Sequence, residues 1–366
     1  MDFTFTDDQL AFRDSVQSML ENEVTTTSIR ERWASDTGEN ADMLNTLNEM
    51  GMNSLLVPEA CGGLGMDLVD FVLLAEACGK AALPESIVED AVVAGGLLAD
   101  LLVVGKNTDQ VQELLGAMAS GEARVGCAHI INPYSNFAQQ KDWMLLANGN
   151  DVHLVPNSEL KFTALKSVDP SRRLQKIDWT PSRKTRVADG EVGAGLQRAT
   201  LNRGALAAAA QLLGLAQAMV QQAVDYSSTR EQFGKAIGTN QAVKHLMADC
   251  AVQIEFAKPA VYRAAYTVGV APQRADWAVS HAKTAAGAAA ELSARNATQV
   301  HGAMGYTWEC DLHIWVKRAW ALAKEWGDAG FHKNRIHEWL LQPNALLGPE
   351  FTFGKRYIDN SESAAA

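Results

Sequence analysis

Two short segments of the sequence combine side chains whose types and spacing suit the binding of a large ligand. The first contains Arg230, Phe233 and Gly234 within TREQFGKAIGTN, and the second contains Gln299 and a neighbouring His-Gly pair. The planar donor fork of an arginine suits a diphosphate, and an aromatic ring three residues later can lie against the flat rings of a dinucleotide. The alternative is that Arg230 is a surface charge and Phe233 a core anchor at a helix end.

The second segment ends an alanine-rich stretch and begins a glycine-containing loop. In this loop, exposed backbone groups and small residues allow a ligand to approach closely. His301 and Gly302 follow Gln299 at this point, and Ala303 comes next. A single histidine beside a glycine turn is more typical of a hydrogen-bonding or packing residue than of a general base.

Helices are predicted for the part of the chain that precedes these segments. Thr6 is a candidate N-cap for the first helix, and Gly51 is placed as the glycine that follows a helix end. Apolar spacing is again helical from residue 68 to residue 102, where Pro84 interrupts it. This pattern predicts an N-terminal helical domain over residues 1–120.

The residue types and the length of the apolar runs change between residues 121 and 190. Short β-branched or aromatic runs bounded by Asn, Asp, Gly and Pro are typical of strands and turns, and DWMLLANG and DVHLVP are examples. Apolar residues at helical spacing return afterwards, among them many alanines that allow close helix packing. We therefore predict an α+β, mainly α fold: a helical domain, a small middle β domain (121–190) and a C-terminal helical bundle (191–366).

Composition limits the kinds of partner. The chain has 366 residues, 47% of them hydrophobic, and a net charge of −11, which argues against nucleic acid. We expect no membrane segment, because no apolar run approaches the ~20 residues that a spanning helix needs.

The N-terminal sequence lacks the features of a secretory signal, which predicts a cytoplasmic protein. The five cysteines are far apart, so neither disulfides nor a metal site is expected.

Three segments together resemble signatures of the acyl-CoA dehydrogenase family. They are VPEACGGLGMD, TREQFGKAIGTNQAVKHLMADCA and ATQVHGAMGYTWECDLHIWVKRA. The resemblance implies the family's fold of a helical domain, a small β domain and a C-terminal four-helix bundle. It also implies an FAD that is bound mainly by a neighbouring subunit and whose adenosine diphosphate half is gripped by this chain. It implies the following cofactor-binding set: Arg230, Gln232, Phe233, Ile237, Asn240, Gln299, His301 and Gly302. Ala303 departs from the family, in which a second glycine is usual.

The catalytic carboxylate of the family is missing from both positions that can carry it. Family members remove an α proton of an acyl thioester with a glutamate, while the β hydrogen leaves as hydride to the flavin. Gapless alignment puts Trp326 at one glutamate position and Gly204 at the other. We therefore assign no catalytic residue to this chain. Glu325 is one residue away and could serve as the base only if the local backbone shifts.

The middle domain also departs from the family. The loop that holds the flavin ring and substrate in the family is replaced here by residues 126–144, GCAHIINPYSNFAQQKDWM. A divergent loop that uses backbone groups for the same purpose is the alternative explanation. The features that serve a partner's flavin are retained, whereas those that serve the chain's own flavin are lost.

This combination is similar to family members built from two different chains, some of which act on steroid side-chain CoA thioesters. The resemblance implies an α2β2 assembly in which a homologous partner brings the glutamate, FAD is shared, and this chain alone is inactive. Two alternatives stay open at this point. One is a complete homo-oligomeric enzyme with Glu325 as a relocated base, and the other is a non-catalytic acyl-CoA-binding scaffold.

Overall fold

The computed structural model describes residues 4–343 and 345 of the chain. Its N-terminal part is helical, with a π-helical segment at Glu89–Gly95 between the fourth and fifth helices. Thr6 caps the first helix as predicted, because its hydroxyl accepts from the backbone of Gln9, whose side chain bonds back to the Thr6 amide. These helices are α1 (Asp7–Glu23), α2 (Thr26–Ala34), α3 (Ala41–Glu49), α4 (Leu68–Lys80), α5 (Gly96–Val103) and α6 (Thr108–Ser120).

Two small sheets form the middle of the chain. The first has the strand order β1-β3-β4-β7, with β1 parallel to β3 and the other pairs antiparallel, and the second has the antiparallel order β2-β6-β5. Their strands are β1 (Val125–Ala128), β2 (Tyr134–Asn136), β3 (Trp143–Asn148), β4 (Asp151–Pro156), β5 (Lys161–Ala164), β6 (Leu174–Asp178) and β7 (Arg186–Ala188).

The C-terminal part is a bundle of long helices with a short hairpin between the first two. The helices are α7 (Gly190–Thr229), α8 (Gln241–Val270), α9 (Ala275–His301), α10 (Leu312–Lys324) and α11 (Ala329–Leu340), and the hairpin strands are β8 (Glu231–Gln232) and β9 (Lys235–Ala236). Helix α7 is long and apolar enough to cross a membrane by length and composition, but 83% of its most apolar stretch is buried inside the fold. It is therefore a core helix.

Glycines let α7 and α4 pack so closely that their backbones come into contact. A Cβ added at Gly79 would lie 2.1 Å from the carbonyl oxygen of Gln211, and one added at Gly214 would lie 2.0 Å from that of Glu76. A side chain at either glycine would push the helices apart. The main core consequently runs without interruption from the N-terminal helices into the bundle, with Leu47 on one side of it and Val261 on the other.

The predicted fold class is confirmed, with two refinements. The middle part divides into two sheets instead of forming one β unit, and α11 adds a fifth helix to the C-terminal bundle. The predicted domain limits at residues 120 and 190 coincide with the end of α6 and the start of α7. As a division into domains these limits stay a prediction.

Candidate functional site

The hairpin between α7 and α8 presents an aromatic ring to solvent. Strands β8 and β9 are joined by Phe233 and Gly234, and both of these residues have positive φ, at 54° and 77°. This is the conformation that two-residue hairpins of type I′ require. Phe233 is 100% exposed, so the core-anchor interpretation of this residue is wrong.

Arg230 stands at the base of this hairpin, with an exposed side chain. Its amide donates to the Tyr226 carbonyl at the end of α7, and its own carbonyl accepts from the amide of Ile237 at 2.8 Å. These two backbone bonds fix the hairpin against the helix. Arg230 and Phe233 are therefore carried, both exposed, by one fixed hairpin, and this pair of side-chain types suits a diphosphate attached to a flat ring system.

A stacked ring pair joins the two predicted motifs. The imidazole of His301 is buried and lies on the ring of Tyr226, with centroids 4.3 Å apart and planes 20° apart. Its Nδ1 is 2.8 Å from the carbonyl oxygen of Ala297; because a carbonyl only accepts, Nδ1 is the donor. Tyr226 is one helical turn before Arg230, so the stack holds the end of α9 against the end of α7.

The remaining predicted residues lie around this junction. Gln299 and Gly302 are exposed at the end of α9, and Gly302 has φ 59° with ψ −138°, a conformation essentially restricted to glycine. Asn240 precedes α8 without capping it. Ile237 is half-buried, and Gln232 is exposed in β8. The structure thus gathers the predicted set near the ends of α7 and α9 and the start of α8, while its role in binding stays a prediction.

The two positions where the family carries a catalytic glutamate meet each other in this structure. The indole of Trp326 packs directly on Gly204 of α7, and a Cβ added there would lie 2.1 Å from Cδ2 and 2.4 Å from Cε2 of the indole. Trp326 is 3% exposed. One residue therefore fills the space that a side chain from either position would need.

Buried polar groups hold the turn that carries this indole. The backbone of Trp326 itself is in the left-handed conformation, with φ 55°. Lys283 donates to the carbonyls of Leu322, Ala323 and Gly327 at 2.9, 3.2 and 3.3 Å, and burial lowers its pKa to about 8. The ammonium thus lies at the carboxyl end of α10, where the helix dipole favours a cation.

Glu325, the candidate relocated base, is engaged in a buried ion pair. Its Oε1 accepts from Nη2 of Arg172 at 2.5 Å and from Nδ2 of Asn132 at 3.5 Å. Its other oxygen, Oε2, is buried and has no hydrogen-bond partner among the described residues. The carboxylate is thus tied to Arg172 inside the fold and faces only a small cavity.

A second carboxyl group completes this cluster. Glu89 begins the π-helical segment and lines a cavity of about 20 Å³ together with Asn132, Glu325 and Trp326. Burial, and next the charge of Glu325, raise the pKa of Glu89 to about 7. A cavity of this size holds about one water molecule. It therefore leaves no room for a flavin ring or an acyl chain.

The sequence interpretation missed three members of this cluster. Glu89 stands with Asp90 before an apolar run, Arg172 belongs to an Arg-Arg pair after Pro170, and Asn132 lies in the divergent loop. None of these patterns marks a site, because the contacts that define it join residues more than a hundred positions apart. The one sequence feature that pointed to this cluster was Glu325, which is adjacent to Trp326 at the family's glutamate position.

Comparison with known proteins identifies the family. The model of the acyl-CoA dehydrogenase N-terminal domain matches residues 6–122, and that of the C-terminal domain matches residues 191–341. The acyl-CoA dehydrogenase IpdE2 of Mycolicibacterium smegmatis is 30% identical over 312 residues, which cover 84% of this chain and 90% of IpdE2. The chain belongs to the acyl-CoA dehydrogenase family. IpdE2 of Mycobacterium tuberculosis is 29% identical over 84% of this chain and 89% of that relative.

Solved structures of acyl-CoA dehydrogenases have the same fold. The ChsE4-ChsE5 complex from Mycobacterium tuberculosis superposes with a TM-score of 0.83 at 23% identity, covering 94% of this chain and 100% of the other. A glutaryl-coenzyme A dehydrogenase complex gives 0.83 at 20% identity, with 95% and 99% covered. Family membership makes this chain part of the oxidoreductases that act on CH–CH bonds, and it confirms FAD as the cofactor predicted from the sequence.

The described residues fit one part of an FAD and exclude another. The exposed ring of Phe233, the guanidinium of Arg230 and the open space around Gly302 suit an adenosine diphosphate half that approaches from outside the chain. The region around Trp326 and Glu89 is filled apart from a cavity of about 20 Å³. The chain thus has an exposed edge that suits part of a cofactor, and a closed region at the two glutamate positions.

Proposed function

We propose that this chain is the non-base subunit of a heteromeric acyl-CoA dehydrogenase that introduces an α,β double bond into an acyl-CoA thioester. It clamps the adenosine diphosphate half of an FAD, and a homologous partner chain supplies the catalytic glutamate. The proposed clamp is the set predicted from the sequence: Arg230, Gln232, Phe233, Ile237, Asn240, Gln299, His301 and Gly302. On the resemblance to two-chain members of the family, the proposed assembly is α2β2, with each clamp completing a flavin site on another chain.

The packing of Trp326 on Gly204 is the observation that carries this proposal. Removing an α proton requires a carboxylate against the substrate, in a site that also polarises the thioester. The indole can accept no proton, and it excludes any side chain at position 204. Since Arg230, Phe233 and Gln299 of the proposed clamp are nevertheless exposed near the ends of α7 and α9, we infer that the chain completes a site that lies on another chain.

The relatives suggest the partner and the substrate class. One structural neighbour is described as a complex of two chains, ChsE4 and ChsE5, and another as a steroid acyl-CoA dehydrogenase. By analogy we propose a partner homologous to this chain and a steroid side-chain CoA thioester as the substrate class. Analogy of this kind supports the assignment but does not replace a test on this chain. A cytoplasmic location is part of the same proposal.

The decisive experiment counts FAD in the chain purified alone and in the chain co-purified with its partner from native extract. We expect the chain alone to hold little flavin and to catalyse no acyl-CoA oxidation, whereas the complex carries FAD and is active. Full FAD occupancy with turnover by the chain alone would refute the proposal. An absence of flavin absorbance in both preparations would favour the scaffold alternative instead.

Matched variants test the clamp itself. Arg230→Ala and Phe233→Leu should each lower the FAD content of the complex, because each removes one of the two contacts that the ligand needs. Arg183→Ala removes another exposed arginine, in the loop before β7, and should leave FAD content unchanged. Equal FAD loss in all three variants would indicate a general assembly defect and count against the clamp.

The relocated-base alternative depends on Glu325. Its ion pair with Arg172 and the small cavity beside it both oppose a role in proton abstraction. Glu325→Gln, made in the intact complex, should therefore leave turnover close to the parent value once folding has been checked by circular dichroism. Loss of turnover with retained FAD and retained assembly would support Glu325 as the base.

A further inference from the structure

A second and much larger cavity lies on the opposite side of Arg172. Its volume is about 710 Å³, and it opens between the loop after α2 and the β5–β6 hairpin. Apolar side chains form much of its wall, including Trp33, Phe137 and Leu174. This volume is within the range of small-molecule sites in proteins, roughly 300–1,000 Å³.

Basic groups dominate the charges that line this cavity. Lys166, Arg172 and Arg173 are cationic, and Asp36 at the exposed rim is the one carboxylate among the lining residues described. The net charge of the wall is therefore positive in a chain whose overall net charge is −11. Such a local excess favours an anion, and the apolar walls favour a ligand with an apolar body.

Several polar atoms in the wall lack partners. Arg172 is only 7% exposed, yet of its guanidinium nitrogens only Nη2 donates within the described chain, to Glu325. Nε of Arg173 and Oε1 of Gln140 are buried and have no hydrogen-bond partner among the described residues. Buried polar groups are normally paired, so unpaired ones in a cavity wall call for an explanation. A bound anion would supply an acceptor for the Arg173 donor, whereas Oε1 of Gln140 would need a donor such as a water or a hydroxyl group.

We propose that this cavity binds an organic anion, a phosphate or carboxylate attached to an apolar body, with the anionic group at Arg172, Arg173 and Lys166. The apolar body packs between Trp33 and Phe137. The site is separate from the proposed FAD clamp, and no residue is shared between the two. Its occupancy does not depend on catalysis or on the identity of the partner chain.

Arg172 connects this site to the closed region. The same guanidinium that faces the cavity holds the buried carboxylate of Glu325. An anion bound at the free donors of Arg172 shares this cation with Glu325, which precedes Trp326 in the chain. The side chain of Arg172 therefore joins the proposed ligand site to the turn that carries the Trp326 indole.

Isothermal titration calorimetry of the full chain, together with its partner where the two co-purify, tests this proposal with defined probes. Octyl phosphate and octanoate carry both an anion and an apolar body, whereas octanol and inorganic phosphate each lack one of them. We expect saturable one-site binding of at least one amphiphilic anion, about tenfold tighter than octanol or inorganic phosphate, a difference of about 1.4 kcal/mol. Saturable binding of either octyl phosphate or octanoate supports the site, and the tighter of the two identifies the anionic group that the site prefers.

Two variants locate the binding. Lys166→Glu reverses a charge at the exposed rim and should weaken the bound amphiphile about fivefold or more, whereas Lys184→Glu reverses an exposed charge away from the cavity and should change nothing. Arg172→Met combined with Glu325→Gln removes the central cation without leaving a buried charge, and should abolish binding. Absence of saturable binding, or equal affinity in the parent, Lys166→Glu and the paired variant, would overturn the proposal.

Discussion

Nε2 of His332 lies 2.9 Å from the carbonyl oxygen of Trp326. The carbonyl can only accept, so Nε2 carries the proton, and Nδ1 accepts from the Ser280 hydroxyl at 3.1 Å. Both ring nitrogens are thus used by a neutral imidazole that is 0% exposed. This hydrogen bond fixes a tryptophan that would otherwise not adopt a left-handed backbone, which ordinarily costs about 1–3 kcal/mol.

Protonation of His332 should destabilise the fold in acid. Burial lowers the pKa of His332 to about 4 from its ordinary value of 6.5. Between these values the unfolded chain binds more protons, so the free energy of unfolding rises with pH from 4 to 6.5, by about 2–3 kcal/mol from this residue. Urea titrations at several pH values should show this contribution in the parent and not in His332→Gln. His245→Gln, at an exposed position, is the control; an identical pH profile in parent and His332→Gln would contradict the prediction.

The contact between Trp326 and Gly204 should appear as a strong coupling in stability. Gly204→Ala puts a methyl group into the indole and should lower the free energy of unfolding by about 1–3 kcal/mol. In a Trp326→Ala background the same change should cost little, since the clash is gone. Gly195→Ala, in the same helix but with open space around it, should be neutral or stabilise by up to ~1 kcal/mol. Additive effects of Gly204→Ala and Trp326→Ala would disprove the contact.

Phe233 should show a trade-off between stability and cofactor binding. Asparagine tolerates the left-handed conformation at this turn position, so Phe233→Asn should raise the free energy of unfolding of the chain by about 0.5–1 kcal/mol. The same variant should lower the FAD content of the complex, measured by flavin absorbance. Phe233→Leu keeps the strain and removes only the ring, so it should lose FAD without becoming more stable. A Phe233→Asn complex with full FAD content would remove Phe233 from the clamp.

Glu89 should weaken the fold as the pH rises. Its pKa in the folded chain is about 7, against an ordinary value of 4.5, so the folded state binds more protons between these values. The free energy of unfolding therefore falls over this interval and stays lower above pH 7. Glu89→Gln should remove this fall and raise the free energy of unfolding by about 1–2 kcal/mol at pH 8. Solvent screens part of the effect, because Glu89 is partly exposed. Glu122→Gln, at an exposed position, should behave as the parent, and an unchanged slope in Glu89→Gln would exclude the buried carboxyl.

Local sequence signals predicted the helical parts well. The capping box at Thr6 and the alanine-rich spacing of α9 depend on residues close together in the chain, and both appear in the structure. The full extent of α7 was less evident, because its first turns contain glycines that periodicity does not assign. Helix formation by a glycine-containing segment depends on tertiary packing, which no local pattern encodes.

The closed region shows what sequence reasoning could and could not reach. Substitution of the catalytic positions by Trp326 and Gly204 was evident from alignment with the family. Their mutual contact was not, because residues 122 positions apart touch only through the packing of α7 against the end of α10. The same holds for Arg172 and Glu325, whose pairing spans 153 positions. Shape complementarity between distant elements was the missing information.

The interlocked pair at positions 326 and 204 also limits the routes by which this chain could regain a catalytic carboxylate. A glutamate at position 204 cannot be accommodated while the indole is present. Loss of the indole alone leaves a void that costs about 3–5 kcal/mol, a large share of the stability of an ordinary domain. Either first step is therefore penalised before the second can compensate. This epistasis makes the proposed dependence on a partner chain hard to reverse, because each single substitution on the way back lowers stability before a carboxylate can be placed.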